Sequence, residues 1–236
     1  MALSTQALPP QLFRLGRAPD AWQFPPWEAA DPTTGTFGNR WDDPTGVFRV
    51  LYTSSSRLGC YLECLARFRP DPAVVDSLAD IVENADGLPP TAAAGTLPGS
   101  WLVTRRLGTA DFTGPAAAAI GTAHSLSLLN RDLTAVLIDM QLKEVDAAAI
   151  RQTVPRRFTQ AVSRYVFESV AEDGKPLAGI FYQSRLGDDI HCFALFEGHG
   201  RWRINDPSSA VIASDDADLV HALEMLGVSL EGAPGT

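Results

Sequence analysis

Three polar side chains stand out in residues 37–69: Arg40, Tyr52 and Glu63. Arginine suits paired hydrogen bonds to a phosphate or a carboxylate, because its guanidinium is planar and always charged. A carboxylate can stabilise a developing positive charge or orient a nucleophile, and an aromatic ring can hold a flat ligand by stacking. Together these residue types are candidates for a site that binds an anionic ligand and acts on it.

The local sequence predicts a turn, a strand and a helix that would hold these side chains in place. Asp43–Gly46 has Pro and Gly at positions typical of a turn. Val47–Thr53 is rich in β-branched and aromatic residues, which favours a strand. The serines at 54–56 can cap a helix, and apolar residues at helical spacing continue to Phe68. A site on such a framework would be rigid.

Each of the three residues also has an ordinary structural explanation. Glu63 lies off the apolar stripe of its helix and could pair with Arg67 on a solvent-exposed face, a contact that contributes roughly 0.2–0.5 kcal/mol. Arg40 alone is a typical surface residue, and Tyr52 alone is a typical core aromatic. Spacing by itself does not choose between these interpretations.

The segment resembles the front half of the RES domain, a family named for its arginine, glutamate and serine. The shared features are a Gly-x-Arg-Trp-type turn, a Leu-Tyr-Thr-Ser strand end and a helix that carries a glutamate. Gly179–Arg185 (GIFYQSR) and the apolar run Cys192–Glu197 resemble the second half of the family pattern, and Leu12–Leu15 resembles its opening. The matches occur in the family's order, whereas residues 70–157 carry no family signature.

The resemblance implies an α+β fold related to the ADP-ribosyltransferases, with a split β core, surrounded by helices, that clamps NAD in a cleft. Predicted strands and helices that mix without a regular βαβ rhythm favour the same fold class, as a single domain. We expect residues 1–36 to form an irregular arm with one short strand. Residues 37–236 would form the catalytic domain, and both parts would belong to one compact unit.

The resemblance also implies cleavage of the nicotinamide–ribose bond of NAD, by hydrolysis or phosphorolysis. Nicotinamide leaves as a neutral molecule, and the transition state resembles an oxocarbenium ion, as in glycoside hydrolysis. Glu63 would lie at the reacting ribose carbon, and Tyr52 would hold the nicotinamide end. Arg40 would clamp the pyrophosphate, with Arg14 as a second contact in the same cleft.

Two further roles are implied for the second half of the pattern. Ser184 would orient the ligand through its hydroxyl group. Strand alternation predicts that Arg185 points the other way and supports the fold, unless a bulge intervenes. NAD would be a substrate, so no cofactor is expected.

Members of the family are commonly toxins of bacterial toxin–antitoxin pairs, so the resemblance implies an antitoxin partner with an Xre-like DNA-binding domain. Two alternatives stay open. A protein ADP-ribosyltransferase on the same fold would use a side chain as the acceptor, and a non-catalytic module would only bind a nucleotide or a partner. The sequence does not rank water, phosphate and protein as acceptors.

Composition narrows the function classes. A formal charge of −9 argues against direct contact with nucleic acid, which needs a basic face. No apolar run reaches transmembrane length and the first ten residues lack the order of a signal peptide, so we expect a soluble, cytoplasmic protein without membrane contact. The oligomeric state stays open, a homo-oligomer included.

Three cysteines (Cys60, Cys64 and Cys192) are too few for a disulfide framework. They also lack the second close-spaced pair of a structural zinc site, so we expect no metal. Outside the motifs, the patterning predicts helices over 71–83, 115–130, 156–170 and 216–226. It predicts strands over 101–107, 134–142, 179–182 and 190–196, a loop over 84–100 and a turn at Asp206-Pro207.

Overall fold

The computed structural model describes residues 1–70, 95–152 and 155–232. The strands are β1 (Thr5–Gln6), β2 (Gln11–Arg17), β3 (Val50–Ser54), β4 (Thr96–Leu97), β5 (Arg105–Thr113), β6 (Ala117–Ala119), β7 (Gly179–Ser184), β8 (Gly187–Phe196), β9 (Arg203–Val211) and β10 (Ser229–Leu230). The helices are α1 (Arg57–Leu65), α2 (Gly99–Thr104), α3 (Ala123–Asp132), α4 (Thr134–Asp139), α5 (Ala147–Arg151), α6 (Arg156–Glu168) and α7 (Ala217–Leu226). The helix expected over 71–83 and most of the loop expected over 84–100 lie outside the described residues.

Eight strands form one mixed sheet in the order β1-β6-β7-β8-β3-β2-β5-β9. Neighbouring strands are antiparallel except β6 and β7, which are parallel. A separate parallel pair joins β10 to β4. Helices pack around this sheet, so the expected α+β fold is confirmed. No helix in the described ranges is both long enough and apolar enough to cross a membrane.

The sheet is nearly divided between β2 and β3. These two strands share a single registered pair, Phe13 with Ser54. By contrast, β2 pairs with β5 along its whole length, from Gln11 to Arg17, and β3 pairs with β8 along its whole length. The core therefore consists of two half-sheets that separate beside one contact, which is the split β core that the fold class predicts.

Apolar side chains on the two faces of the sheet form two separate cores, since successive strand residues point to opposite faces. Val50 belongs to the larger core, together with buried Trp41 and Phe158, and its neighbour Leu51 belongs to the smaller one. Most of the helices pack against the sheet through the larger core. The smaller core lies beneath the N-terminal residues.

The first 36 residues contribute more to the sheet than an arm with one short strand would. They contain both β1 and β2, and β2 is an interior strand. Trp22 covers the smaller core: its ring centre lies 5.5 Å from that of Phe112, and its indole N–H donates to the Ser208 carbonyl at 3.0 Å. This part of the chain therefore stabilises the half-sheet β2-β5-β9.

Several predicted elements are confirmed with shifted ends. The strand predicted over 47–53 is β3, the helix over 156–170 is α6, the paired strands are β7 and β8, and the closing helix is α7. The strand predicted over 134–142 is wrong, because residues 134–139 form α4. Full or partial burial recurs at Leu133, Val136, Leu137 and Met140 while Ile138 is exposed, which is the i, i+3, i+4, i+7 spacing of a helix.

Three further predictions are wrong in part. The alanine-rich helix expected from residue 115 is interrupted by β6, whose three alanines are all buried in the sheet, and the helix begins only at Ala123. The strand expected over 101–107 begins at Arg105, after α2. Asp206-Pro207 lies inside β9, where Asp206 has a positive φ of 47° and the facing strand has a register shift. Proline is tolerated there because β9 is an edge strand.

Helix α1 begins close to the end of β3, as the serine run predicts. Ser56 caps the helix by accepting the Gly59 backbone N–H at 3.0 Å. A side chain at Gly59 has no room, because its Cβ would lie 2.4 Å from Ser54 Oγ and 2.9 Å from Ser56 Oγ. The absence of a side chain at this residue therefore lets α1 approach the split in the sheet.

Gly59→Ala should lower the free energy of unfolding by about 1–3 kcal/mol, because the added methyl group overpacks the start of α1. This sign is opposite to the usual one, since alanine normally stabilises a helix relative to glycine by about 1 kcal/mol. Chemical denaturation measures the effect. Gly121→Ala is the matched control, because nothing lies within 4 Å of a Cβ there. Equal stability of the two variants would contradict the close approach.

Candidate active site

A cavity of about 390 Å³ lies where the two half-sheets separate. Beyond the Phe13–Ser54 pair the strands no longer pair, and the next two residues of each (14–15 on β2 and 52–53 on β3) line the cavity. Its volume is within the range of small-molecule sites. The split in the sheet thus forms the pocket.

Helix α1 forms a third wall with one of its faces. The residues on this face are Gly59, Cys60, Glu63 and Cys64. The opposite stripe, which includes Tyr61, Leu62 and Leu65, is buried in the larger core. As the sequence predicts, Glu63 lies off that apolar stripe, and this places it at the cavity.

Ser184 holds the carboxylate of Glu63. Its Oγ donates a hydrogen bond to Glu63 Oε1 and accepts the Leu186 backbone N–H at 2.9 Å. A hydroxyl group has one proton to donate, so this proton is committed to the glutamate. Ser184 is fully buried and does not line the cavity, so its hydroxyl contacts Glu63 rather than the cavity space where the resemblance placed it against a ligand.

The solvent-exposed alternative for Glu63 does not describe the structure. Glu63 is partly buried at the cavity wall, and Arg67 points to the ring of Phe68, with its guanidinium carbon 4.8 Å from the ring centre. Within the described part of the chain, no ion pair joins Glu63 to Arg67. The helix therefore presents this carboxylate to the pocket.

Arg40 lies between two aromatic rings at the cavity wall. Its guanidinium carbon is 4.7 Å from the ring centre of Trp41 and 5.0 Å from that of Tyr182, and its Nη2 donates to the Ile150 carbonyl. Burial lowers the pKa of Arg40, while Tyr182 and Glu63 raise it. A guanidinium has five N–H donors, and the structure pairs only one of them within the described residues. Arg40 therefore retains donors for an anion.

Three more arginines line the same cavity: Arg14, Arg156 and Arg185. Burial lowers the pKa of Arg14 to about 10, so it remains a cation at neutral pH. Arg156 donates from Nη1 to the Gly38 carbonyl. Sequence reasoning missed Arg156, because no motif around this residue indicates that it lies at a site. Against these four cations, Glu63 is the one carboxylate among the described lining residues.

The irregularity that would change the direction of Arg185 is present in the structure. Strand β7 ends at Ser184 and β8 begins at Gly187, with a register shift between Gln183 and Ser184. Arg185 therefore lies in a tight turn, where strand alternation no longer applies, and it is exposed and lines the cavity. It is better placed to meet a ligand than to support the fold.

Tyr52 lines the cavity, and its hydroxyl group anchors the turn that carries Arg40. The hydroxyl donates to Asp42 Oδ1 at 2.8 Å and accepts the Trp41 backbone N–H at 2.9 Å. Asp42 Oδ2 in turn accepts the backbone and side-chain N–H groups of Asn39, at 2.8 and 2.7 Å. Burial raises the pKa of Asp42 and holds the pKa of Tyr52 well above its ordinary value. Asp42 therefore holds Tyr52 and Asn39 together, a contact that sequence reasoning missed.

Tyr52→Phe should lower the free energy of unfolding by about 1–3 kcal/mol, because it leaves a buried Asp42 oxygen and the Trp41 N–H without their partner. Thermal and chemical denaturation measure the loss. Tyr165→Phe is the matched control: its hydroxyl donates to Asp132 at 2.6 Å on the surface, so its removal should cost less than about 0.5 kcal/mol. A Tyr52→Phe protein as stable as the control would contradict the anchoring role.

Tyr182 is a second lining residue that the sequence signalled without our naming it. It lies two positions before Ser184 on β7, so both side chains point to the same face of the strand. Its ring is 5.4 Å from that of Trp41 and is buried. The alternation that we applied to Arg185 could have identified Tyr182 as the aromatic partner of Arg40.

All three cysteines line the cavity as free thiols. Burial raises the pKa of Cys64 to about 11 and raises those of Cys60 and Cys192 well above the ordinary value. Because the thiolate is the reactive form, these cysteines are poor nucleophiles at neutral pH. No group of three His, Cys, Asp or Glu residues within 1–70, 95–152 and 155–232 is placed to hold a metal ion.

Comparisons with known proteins place this site in a family. A search of curated protein sequences gives no significant match. Among solved structures, the crystal structure of the M. tuberculosis MbcT–MbcA toxin–antitoxin complex is similar, with a TM-score of 0.49 and 12% sequence identity over 95% of this chain and 92% of that chain. Residues 11–210 match the family profile of the RES domain, and this range includes every candidate site residue. The chain therefore belongs to the RES domain family.

Proposed function

We propose that this chain is an enzyme that consumes NAD by cleaving the bond between nicotinamide and ribose. The observation that carries the proposal is the placement of Glu63. It is a carboxylate oriented by a buried serine hydroxyl, and it lies in a ligand-sized cavity lined by four arginines. Membership of the RES domain family supports the same substrate.

The charge of the cavity suits a dinucleotide. The protein as a whole has a formal charge of −9, yet the charged residues that line this cavity are four arginines and one glutamate. A local excess of positive charge attracts and holds an anion within an otherwise acidic protein. The pyrophosphate of NAD carries two negative charges, and arginine binds phosphate through paired hydrogen bonds.

Glu63 would supply the chemistry. When the nicotinamide–ribose bond breaks, its electron pair leaves with nicotinamide, which departs neutral, and positive charge develops on the ribose. A fixed carboxylate stabilises that charge more in the transition state than in the substrate, which is the requirement for catalysis. The Ser184 hydrogen bond fixes the carboxylate before the reaction. Tyr52 and Tyr182 would enclose the nicotinamide end.

The biological role follows from the family. We propose that the chain is the toxin of a bacterial toxin–antitoxin pair that acts in the cytoplasm, with an Xre-like antitoxin protein as its partner. Family membership supports this role. The acidic charge is consistent with leaving the DNA contact to the partner, because a DNA-binding face is basic.

The experiment that tests the activity is incubation of the pure protein with NAD, with and without inorganic phosphate, followed by identification of the products. Free ADP-ribose would indicate water as the acceptor, and ADP-ribose-1″-phosphate would indicate phosphate. ADP-ribose attached to an added protein mixture would indicate a protein ADP-ribosyltransferase. No turnover under any condition would leave a binding module and contradict the proposed enzyme.

A further inference from the structure

A second cavity of about 490 Å³ adjoins the candidate active site. It is lined by Ala147, Ala148, Arg151, Gln152 and Arg185. Arg185 also lines the first cavity, so this side chain borders both spaces.

The two arginines of the second cavity differ in what they contact. Arg151 is held in place: its Nη1 donates to Asp188 Oδ1 at 2.6 Å and its Nη2 to Gln183 Oε1 at 2.7 Å. Arg185 is exposed, and within the described ranges it makes no ion pair and no side-chain hydrogen bond. It is therefore the guanidinium whose donors are available at the junction of the two cavities.

Helix α5 connects the walls of both cavities. The Ile150 carbonyl accepts the hydrogen bond from Arg40 in the first cavity, and the next residue, Arg151, is fixed to the β7–β8 hairpin in the second. Ala147 and Ala148 on the same helix line the second cavity. The relative position of the two spaces is thus fixed by one short segment.

We propose that the second cavity binds the adenylate half of NAD, while Arg185 contacts the pyrophosphate between the two halves. This inference rests on the proposed function, which places the nicotinamide ribose beside Glu63. A dinucleotide consists of two nucleotides joined at a pyrophosphate, and the structure offers two neighbouring cavities that share Arg185 as a lining residue. The methyl groups of the two alanines provide an apolar surface for the base, and the Gln152 amide offers a donor and an acceptor for its edge.

The test measures equilibrium binding of AMP and nicotinamide mononucleotide by calorimetry, and of NAD in the Glu63→Gln background, where its consumption is slow. Ala148→Phe fills the second cavity from an exposed position, so the variant should fold normally. It should weaken AMP and NAD binding at least about tenfold and leave nicotinamide mononucleotide unchanged. Arg185→Ala should weaken NAD binding by about tenfold or more, the usual effect of losing a charge-assisted hydrogen bond.

Two matched controls exclude a general effect of the substitutions. Ala123→Phe adds the same ring to an exposed position on α3, and Arg157→Ala removes an exposed arginine from α6. Neither residue lines either cavity. Both controls should bind all three ligands like the parent protein. The proposal is overturned if the parent does not bind AMP, or if Ala148→Phe binds AMP and NAD as tightly as the parent.

Turnover separates this inference from the proposed function. If AMP binding responds to Ala148→Phe as expected but NAD is never consumed, the adenylate subsite stands and the proposed reaction fails. If NAD is consumed and its KM is unchanged in Ala148→Phe and Arg185→Ala, the reaction stands and the subsite is wrong.

Discussion

Glu63→Gln should lower kcat for NAD consumption by about a hundredfold or more while changing NAD affinity little. Glutamine retains an oxygen that can accept the Ser184 hydrogen bond, so the side chain should keep its place. What is lost is the negative charge, which acts mainly in the transition state. Removing one such electrostatic contact typically costs about 3 kcal/mol of transition-state stabilisation. Steady-state kinetics, NAD binding and the melting temperature measure the three effects separately.

Glu168→Gln is the control for this prediction. Glu168 is an exposed glutamate on α6 that pairs with Arg164 at 2.7 Å, so its substitution should leave kcat unchanged. A purely structural role for Glu63 predicts the opposite pattern, namely a lower melting temperature with unchanged activity per folded molecule. A Glu63→Gln protein that is stable, binds NAD and turns over at the parent rate would refute the assigned role.

Arg40→Ala should act mainly through NAD affinity, weakening it by roughly tenfold to a hundredfold with a smaller effect on kcat. The pyrophosphate is as charged before the reaction as during it, so a phosphate contact binds substrate and transition state alike. The loss of a charge-assisted hydrogen bond, about 1.5–3 kcal/mol, sets the expected size. The KM from turnover measures it, as does isothermal titration with NAD when both the parent and Arg40→Ala also carry Glu63→Gln, which slows consumption.

Arg40→Ala should also lower the free energy of unfolding, because the Ile150 carbonyl loses its donor and two aromatic rings lose their contact with the guanidinium. The affinity must therefore be measured on folded protein, at a temperature well below the melting transition. Arg203→Ala, which removes an exposed arginine from β9, is the control. Unchanged NAD affinity in folded Arg40→Ala would exclude the phosphate contact.

The sequence predicted the framework of the site because its signals are local. A turn, a β-branched strand and a serine-capped helix determine where Arg40, Tyr52 and Glu63 lie along residues 37–69. The structure brings these three residues to one cavity. The contact between Glu63 and Ser184 joins residues far apart in the chain, and the family resemblance indicated that both matter without indicating that they touch.

What the sequence did not predict depends on tertiary contacts. The split between β2 and β3 arises because the two strands pair at only one residue pair. No local sequence pattern predicts where the pairing of two distant strands stops. Helix α4 was predicted as a strand because a short apolar run is compatible with both the helical and the strand periodicity. Only the burial of its residues distinguishes the two. The position of Arg185 depends on the register shift in the β7–β8 hairpin, and that of Arg156 depends on where α6 packs.

The most direct test of the central claim is the release of nicotinamide from NAD in a single turnover, with the protein in excess. We expect one nicotinamide per NAD with the parent protein, and release at least about a hundredfold slower with Glu63→Gln. NAD that stays intact would contradict the claim. So would NAD that is cleaved at the pyrophosphate into AMP and nicotinamide mononucleotide, because the bond broken would not be the one beside Glu63.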